Sequence, residues 1–490
     1  MSTGVAIEQV RNYIGGHWVE PLASESLPVH NPATGEKLGS VLVGSQTDVA
    51  QVVAAASAAF PAWRRTPAGE RIQYLFKMKR VLDENIHEIA QVITAENGKT
   101  LAESEAEIRR AIENVEVACG IPTLMQGYNS EDIAAGIDEI MIRQPLGVVA
   151  AITPFNFPSM IPFWFLPYAI ACGNTFVLKP SERVPFTMQR VFELFESIGL
   201  PPGVLNLVNG SHTVVNALIG HPEVRAISFV GSTPVAKHVY VESAKHGKRA
   251  QCQGGAKNHV LVLPDADMEM TTRIVGESAF GCAGQRCLAV SVAITVDSAR
   301  EEFGKQIVEM AASMKVGDGS KESIQMGPVI SKDSKSRIDG LIAQADRDGA
   351  KVRAGTMPKS SGNFVAPTIL DGVPAQSAVS NTEIFGPVLS LVHAKTVEEG
   401  IAILSRSSFG NAASIFTNSG AAARKFRYEA PAGNIGVNIG VAAPMAYFPF
   451  SGWRDSFFGV VHAQGRDAIE FYTEKKVVVE RWPKEWTRKF

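Results

Sequence analysis

The chain lacks a charge excess: 47 basic against 49 acidic residues leave a formal net charge of -2. The electrostatic field that a polyanion-binding surface needs is therefore missing, and nucleic acid is not an expected partner. Cysteine is scarce, with five residues (Cys119, Cys172, Cys252, Cys282, Cys287) in an odd count without regular spacing. That pattern excludes a disulfide framework and predicts reduced thiols. No long apolar run is present either. The most apolar stretch, 160–172, is broken by Pro162 and Pro167 and falls short of the roughly 20 residues that span a bilayer. Residues 1–12 carry Glu8 and no apolar signal core, so a cytoplasmic protein without a membrane partner is expected. The ten histidines form no metal-ligand cluster, and no metal is expected.

What is present is an ordinary globular composition, 45% hydrophobic and 20% charged, over 490 residues. That length predicts two or three domains. Ser45 and Asp48 form a capping signal before an Ala/Val-rich helical stretch to Ala59, and Thr66-Pro67 opens a second helix with Ile72, Leu75 and Phe76 on one face. Helical spacing continues through Ile86, Ile89, Ala90 and Ile93, with Gly98 placed to close it, and a third stretch covers about 101–119. From Gly147 the pattern changes. Residues 147–152, 175–178, 204–208 and 226–230 read as buried strands separated by segments of helical period such as 186–198. Such alternation predicts an α/β fold with a parallel sheet, whose ligands bind beyond the carboxyl ends of the strands. The alternation restarts with 259–263, a helix to Phe280 and a strand over 290–296, so a second α/β domain is expected to begin near Gln253. Residues 358–362 read as a loop.

Gly281-Cys282-Ala283-Gly284-Gln285-Arg286-Cys287 sets two cysteines in a glycine-punctuated turn between a helix and a strand. A turn presents side chains to a cleft, and Arg286 supplies a positive charge beside Cys287, as a reactive thiol requires. Most cysteines are simply small buried hydrophobes, and Cys119, Cys172, Cys252 and Cys282 keep that assignment.

Five segments carry a resemblance: Thr153-Pro154-Phe155-Asn156-Phe157-Pro158, Lys179-Pro180-Ser181-Glu182, Phe229-Val230-Gly231-Ser232-Thr233, Gly284-Gln285-Arg286-Cys287 and Glu383-Ile384-Phe385-Gly386-Pro387. In this order, and with similarity running from Tyr13-Ile14-Gly15-Gly16 to the C-terminus, the chain resembles the aldehyde dehydrogenase superfamily. The resemblance implies that Cys287 attacks an aldehyde carbon, while the Asn156 amide and the Cys287 N–H stabilise the oxyanion. For NAD it implies Thr153, Phe155, Lys179, Glu182, Arg183, Ser232 and Glu383. A carboxylate at Glu182, after a buried strand, accepts ribose hydroxyls and disfavours the 2'-phosphate of NADP. No G-x-G-x-x-G fingerprint follows these strands, and Gly231-Ser232 at a helix start would take the phosphate instead. Read without the resemblance, Lys179 and Glu182 are a solvated pair, Ser232 a helix cap and Asn156 a turn residue.

Hydrolytic members carry a Glu that activates water, whereas here the matching stretch is Gln253-Gly254-Gly255-Ala256-Lys257, with Gln253 34 residues before the cysteine (287 - 253). An amide takes no proton near neutral pH. A thioester at Cys287 would then wait for a stronger nucleophile, and coenzyme A is the expected one. Gly255-Ala256-Lys257-Asn258-His259, the phrase Arg110-Ala111-Ile112-Glu113-Asn114-Val115-Glu116, Ala443-Pro444-Met445-Ala446 and Phe448-Pro449-Phe450-Ser451-Gly452-Trp453 resemble the methylmalonate-semialdehyde (malonate-semialdehyde) dehydrogenase branch. That branch makes acetyl-CoA or propionyl-CoA with loss of CO2. Its substrates bear a carboxylate, for which Arg286 and, by resemblance, Arg110 would be the clamp, with Arg109 facing solvent. Arg110 reads equally well as a helix-surface charge paired with Glu107 or Glu113.

The resemblance further implies an aldehyde dehydrogenase-like architecture: a Rossmann-type NAD-binding domain (1–123 and 146–252), a catalytic domain (253–442), a return segment (443–465), and a small β oligomerisation element (124–145 and 466–490) of a homodimer or homotetramer. Within that element, 139–143 and 472–481 are the expected strands. Two rivals stand beside this reading: a hydrolytic aldehyde dehydrogenase that releases a free acid, and a non-catalytic protein on the same fold.

Overall fold

The computed structural model describes residues 9–482, apart from 24, 356, 359–361 and 375–376. The N-terminal reading of 1–12 and the 358–362 loop therefore lie largely outside the described residues. So do the outermost ends of the expected domain ranges.

The first sheet has eight strands. Its centre is parallel, in the spatial order Leu205–Leu207, Thr175–Lys179, Val148–Ile152, Val224–Val230, Arg249–Gln253. The order reverses between Val148–Ile152 and Val224–Val230, the switch point beyond which such sheets open a ligand crevice. Both faces are covered, which explains the continuous apolar runs. Val148, Ala150 and Ile152 pack with the helices Gln46–Trp63, His212–Gly220 and Thr233–Lys245. Val149 and Ala151 pack on the other face, among the helices that include Leu101–Ala118 and Phe186–Phe195.

The second sheet has seven strands, in the order Lys351–Ala354, Thr368–Asp371, Val388–Ala394, Val290–Val296, Asn258–Val262, Ala412–Phe416, Asn434–Val437. All are parallel except the first pair. A third, antiparallel sheet joins Tyr128–Ala134, Ile137–Pro145 and Thr473–Arg481. Among the described residues, no helix is long and apolar enough to cross a membrane.

Local signals account for the helix ends. Ser45 with Asp48 and Thr100 with Glu103 are complete capping boxes, and Gly98 closes the helix Ile86–Asn97 at φ +91°. Three details differ from expectation. Strand Arg249–Gln253 has no apolar run to announce it, and its last residue, Gln253, pairs with Val230 and Phe457, so the first sheet extends to the point where a new unit was expected to begin. Short N-terminal strands, Asn12–Ile14 and His17–Val19, also join that sheet. Phe76 stands half exposed rather than on the buried face of its helix, which is carried by Leu75 and Met78.

From Gln253 the chain passes through residues 254–257 straight into Asn258–Val262. The carboxyl end of a strand in one sheet is thereby linked to the amino end of a strand in the other. The functional residues gather at this junction.

Candidate active site

Cys287 follows the turn that leaves the helix Met268–Phe280 and precedes the strand Val290–Val296. The turn is tight: Cys282, Ala283 and Gly284 have φ of +50°, +53° and +70°. A side chain on Gly284 would strike the carbonyl of Gly386, so only glycine lets the two segments approach. The Cys287 carbonyl accepts hydrogen bonds from Asn258 Nδ2 and Asn411 Nδ2, both at 2.8 Å, which fixes the turn to the ends of two neighbouring strands.

Burial pushes the Cys287 thiol up to about 12, and Glu383 adds to this, while the N–H groups of Cys287 and Leu288 and the charge of Arg286 act in the opposite direction. Arg286 thus acts on the thiol in the direction expected of a neighbouring positive charge, but burial outweighs it. Arg286 is also engaged elsewhere, donating to Glu103 Oε1 at 3.1 Å and to Cys282 Sγ at 3.2 Å.

A cavity of about 360 Å³ opens beside Cys287, and both Arg286 and Arg110 line it, with Phe157, Trp164 and Phe450 among its apolar walls. Ala102, Glu103, Ala106, Glu107 and Arg110 come from one face of the helix Leu101–Ala118, the spacing of successive turns. Arg110 pairs with Glu113 at 2.6 Å and donates to the Pro444 carbonyl. It is thus both a lining residue and half of a surface-type pair. Arg109 points away, exposed, at 3.5 Å from Glu105.

Asn156 is buried, and its Nδ2 donates to the Gln285 carbonyl at 2.9 Å, two residues from Cys287. Its own carbonyl accepts from Lys99 Nζ at 2.6 Å. Lys99 in turn forms a buried ion pair with Glu107 at 2.6 Å, and Glu107 accepts the N–H groups of Ser159 and Met160. This network holds the turn that carries Asn156. Sequence reasoning missed Lys99 and Glu107. The i, i+4 step from Glu103 to Glu107 on a helix otherwise facing the core was the available signal. Asn258 stands in the segment 255–259 that carries the resemblance but was given no role there, and Asn411 gave no signal.

Gln253 is buried, and its Nε2 donates to the Phe450 carbonyl at 2.8 Å. No carboxylate replaces it at that position.

The residues expected at the cofactor divide between two edges. Thr153, Lys179 and Ser232 follow or end the three strands that flank the switch point. Lys179 is buried and pairs with Glu182 at 2.9 Å. Burial raises the Glu182 carboxyl, but Lys179 and Arg183 more than offset this and hold it below the ordinary carboxylate range. Ser232 precedes the helix Thr233–Lys245 without a side-chain capping bond. Arg183 is exposed, and the Phe155 ring meets Phe385 edge-on at 5.8 Å. Glu383 lies at the facing edge of the second sheet, where Oε1 accepts the Ala256 N–H at 2.9 Å. Burial pushes its carboxyl up to about 7, against the influence of Ala256, Lys257 and Arg337. Lys257 is fully buried beside it, driven down to about 7 by desolvation, and its Nζ has no hydrogen-bond partner. Among the described residues, no cluster of His, Cys, Asp or Glu is arranged to hold a metal ion.

The arrangement brings together the Cys287 thiol, a buried amide near it and a cavity lined by two guanidinium groups, next to the carboxyl ends of the first sheet's strands. Comparison with known proteins agrees. The chain is 49% identical over 486 residues to malonate-semialdehyde dehydrogenase 2 of Geobacillus kaustophilus, covering 98% of this chain and 100% of that one. Its fold superposes with a TM-score of 0.96 on the methylmalonate-semialdehyde dehydrogenase of Oceanimonas doudoroffii, at 41% identity over 98% and 99% of the two chains. A provisionally named methylmalonate-semialdehyde dehydrogenase from Sinorhizobium meliloti, solved in complex with NAD, matches with the same TM-score of 0.96 at 40% identity over 97% and 98% of the chains. With the profile of the aldehyde dehydrogenase family matching residues 18–478, the chain belongs to that family.

Proposed function

We propose that this enzyme oxidises malonate semialdehyde or methylmalonate semialdehyde with NAD and transfers the acyl group to coenzyme A, with loss of CO2. The observation that carries the reading is the single cavity shared by Cys287, Arg110 and Arg286, with an amide, Gln253, where hydrolytic relatives carry their base. The names of its relatives support the same substrates.

The residues present fit NAD. Thr153 Oγ1 is buried without a hydrogen-bond partner, and Ser232 leaves the first N–H groups of its helix uncapped. Both sit at the strand ends where a dinucleotide binds. When bound, the nicotinamide accepts the hydride from the carbon attached to Cys287. The protein's own work begins with the two arginines, which grip the substrate carboxylate and set the aldehyde carbon against the Cys287 sulfur. Attack creates an alkoxide, for which the Asn156 amide and the Cys287 N–H are the donors. After hydride departure a thioester remains on Cys287. The β-carboxylate then leaves as CO2, its bonding electrons passing into the thioester carbonyl, and the resulting enolate is protonated. The thiol of coenzyme A finally displaces Cys287, which recovers a proton. Gln253 cannot activate water for the competing hydrolysis.

Within the described residues we assign the NAD-binding domain to 9–123 and 146–253, one residue beyond the border expected from sequence because Gln253 ends a strand of the first sheet. The catalytic domain follows to 442, 443–465 returns to the first sheet, and 124–145 with the described residues from 466 to 482 forms an oligomerisation element of a homodimer or homotetramer. Five free cysteines suit a reducing compartment such as the cytoplasm.

The test is product analysis with and without coenzyme A. Without it, the wild type is expected to release a burst of NADH of about one equivalent per site and then slow, and coenzyme A should restore turnover with acyl-CoA as product. Gln253→Glu should weaken that dependence. Rapid steady-state release of free acid in the absence of any thiol would overturn the acylating reading.

A further inference from the structure

Arg286 is seated on three sides. Nε donates to Cys282 Sγ at 3.2 Å and Nη2 donates to Glu103 Oε1 at 3.1 Å. On the third side lies Gly281, where an added Cβ would come within 2.6 Å of the guanidinium carbon. The backbone there, φ -54° and ψ 141°, suits any residue, so a side chain at this position would be accommodated by a shift of the guanidinium. Glu103 is equally fixed. Oε2 accepts the Thr100 N–H at 3.0 Å and Oε1 accepts the Cys282 N–H at 2.6 Å, with the side chain only 15% exposed. One carboxylate thus bridges the first turn of the helix Leu101–Ala118, which carries Arg110, to the turn that carries Cys287.

We infer that Glu103 is a positioning residue that sets the preference for a carboxylate-bearing aldehyde, by holding Arg286 in one orientation relative to Arg110 and Cys287. The inference rests on the proposed reading that the two arginines take the substrate carboxylate. Arginine has five N–H donors in a rigid fork, and Cys282 and Glu103 occupy only two of them. The rest of the fork stays available, already oriented. An arginine that had to find its rotamer when substrate arrived would lose affinity to ordering, and its carboxylate contact would vary in distance from the nucleophile. Glu103 also places a negative charge near an incoming anion. Its three N–H contacts, one of them from Arg286 itself, keep that charge tied down, so orientation is the larger effect.

The experiment compares KM and kcat for malonate semialdehyde and for propanal in wild type, Glu103→Gln, Gly281→Ala and Arg286→Leu, each with its thermal unfolding midpoint. Glu103→Gln keeps an acceptor for the Cys282 N–H and removes the ionic hold on Arg286. KM for malonate semialdehyde is expected to rise about tenfold, with KM for propanal changing less than about twofold. Gly281→Ala leaves Glu103 intact but displaces the guanidinium, and should show the same selective loss; it decides the matter if Glu103→Gln does not fold. Equal losses on both aldehydes would make Glu103 structural, and a lower KM for malonate semialdehyde would make it a competitor of the substrate; either result overturns the inference. Arg286→Leu separates the levels. If it fails to discriminate between the aldehydes, the clamp reading falls too; if it discriminates while Glu103→Gln and Gly281→Ala do not, only the role of Glu103 falls.

Discussion

At the scale of single residues, the state of Cys287 is set by its surroundings more than by its neighbour in sequence. Arg286 directly precedes Cys287, yet its charge is shared with Glu103 and Cys282, and burial drives the thiol up to about 12. A raised pKa means that the thiol form dominates at neutral pH and the thiolate fraction grows tenfold with each unit below the pKa. Iodoacetamide labelling of Cys287 in cofactor-free protein, followed on its peptide by mass spectrometry, should therefore accelerate about tenfold per unit from pH 7 to pH 9 without levelling. A plateau below pH 8 would mean that the Arg286 charge or the two backbone N–H groups outweigh burial. The turn around Gly284, with Cys287 and Arg286 in it, was readable in the sequence because turn chemistry is local, whereas Arg110 was reached only through resemblance and read equally well as a surface charge. The state of the thiol was not readable, because it depends first on burial by the folded chain and then on the charge of Glu383, 96 positions away (383 - 287).

At the scale of elements, the turn bearing Asn156 makes no regular structure of its own and is held from outside by the helix Leu101–Ala118 and the residues just before it. Lys99 bonds the Asn156 carbonyl, and Glu107 takes the N–H groups of Ser159 and Met160. The ion pair between them is only 1% and 0% exposed, and Lys99 also lies 4.1 Å from the Phe157 ring centroid. Removing one partner leaves the other charge buried and uncompensated, which costs about 3–5 kcal/mol. Lys99→Met should lower the unfolding free energy by that amount and also reduce kcat, since the Asn156 amide would lose its fixed direction. Denaturant titration and steady-state kinetics check both parts. A variant that loses stability but keeps full kcat would confine Lys99 to folding. The helices up to Ala118 were legible from period, with Ser45, Asp48 and Gly98 marking ends, whereas the capping box of Thr100 and Glu103 emerged only in the structure. Strand Arg249–Gln253 was not, since Arg, Gln and Cys offer no apolar pattern and its pairing with Val224–Val230 is fixed by tertiary context.

At the scale of the whole molecule, two parallel sheets present opposite edges to one another. The first offers the carboxyl ends of its strands, as such sheets commonly do for ligands. The second offers amino ends, with Cys287 before Val290–Val296 and Glu383 before Val388–Ala394. The general rule that ligands lie at carboxyl ends leads from sequence to the proposed cofactor edge but offers nothing for the edge that carries Cys287. The third sheet stands apart from both. Its strand Thr473–Arg481 pairs along its whole length with Ile137–Pro145, while Val477 and Val479 remain 61% and 62% exposed. An exposed apolar strand at a sheet edge invites pairing with another chain. Under the proposed oligomerisation role, Val477→Asp with Val479→Asp places two desolvated carboxylates in the subunit contact and should shift the assembly to a smaller species in analytical ultracentrifugation. Neither valine belongs to the core clusters of the two large sheets, so the circular dichroism spectrum should stay that of the wild type. An unchanged sedimentation coefficient would move the subunit contact away from this strand and leave its apolar face to another partner.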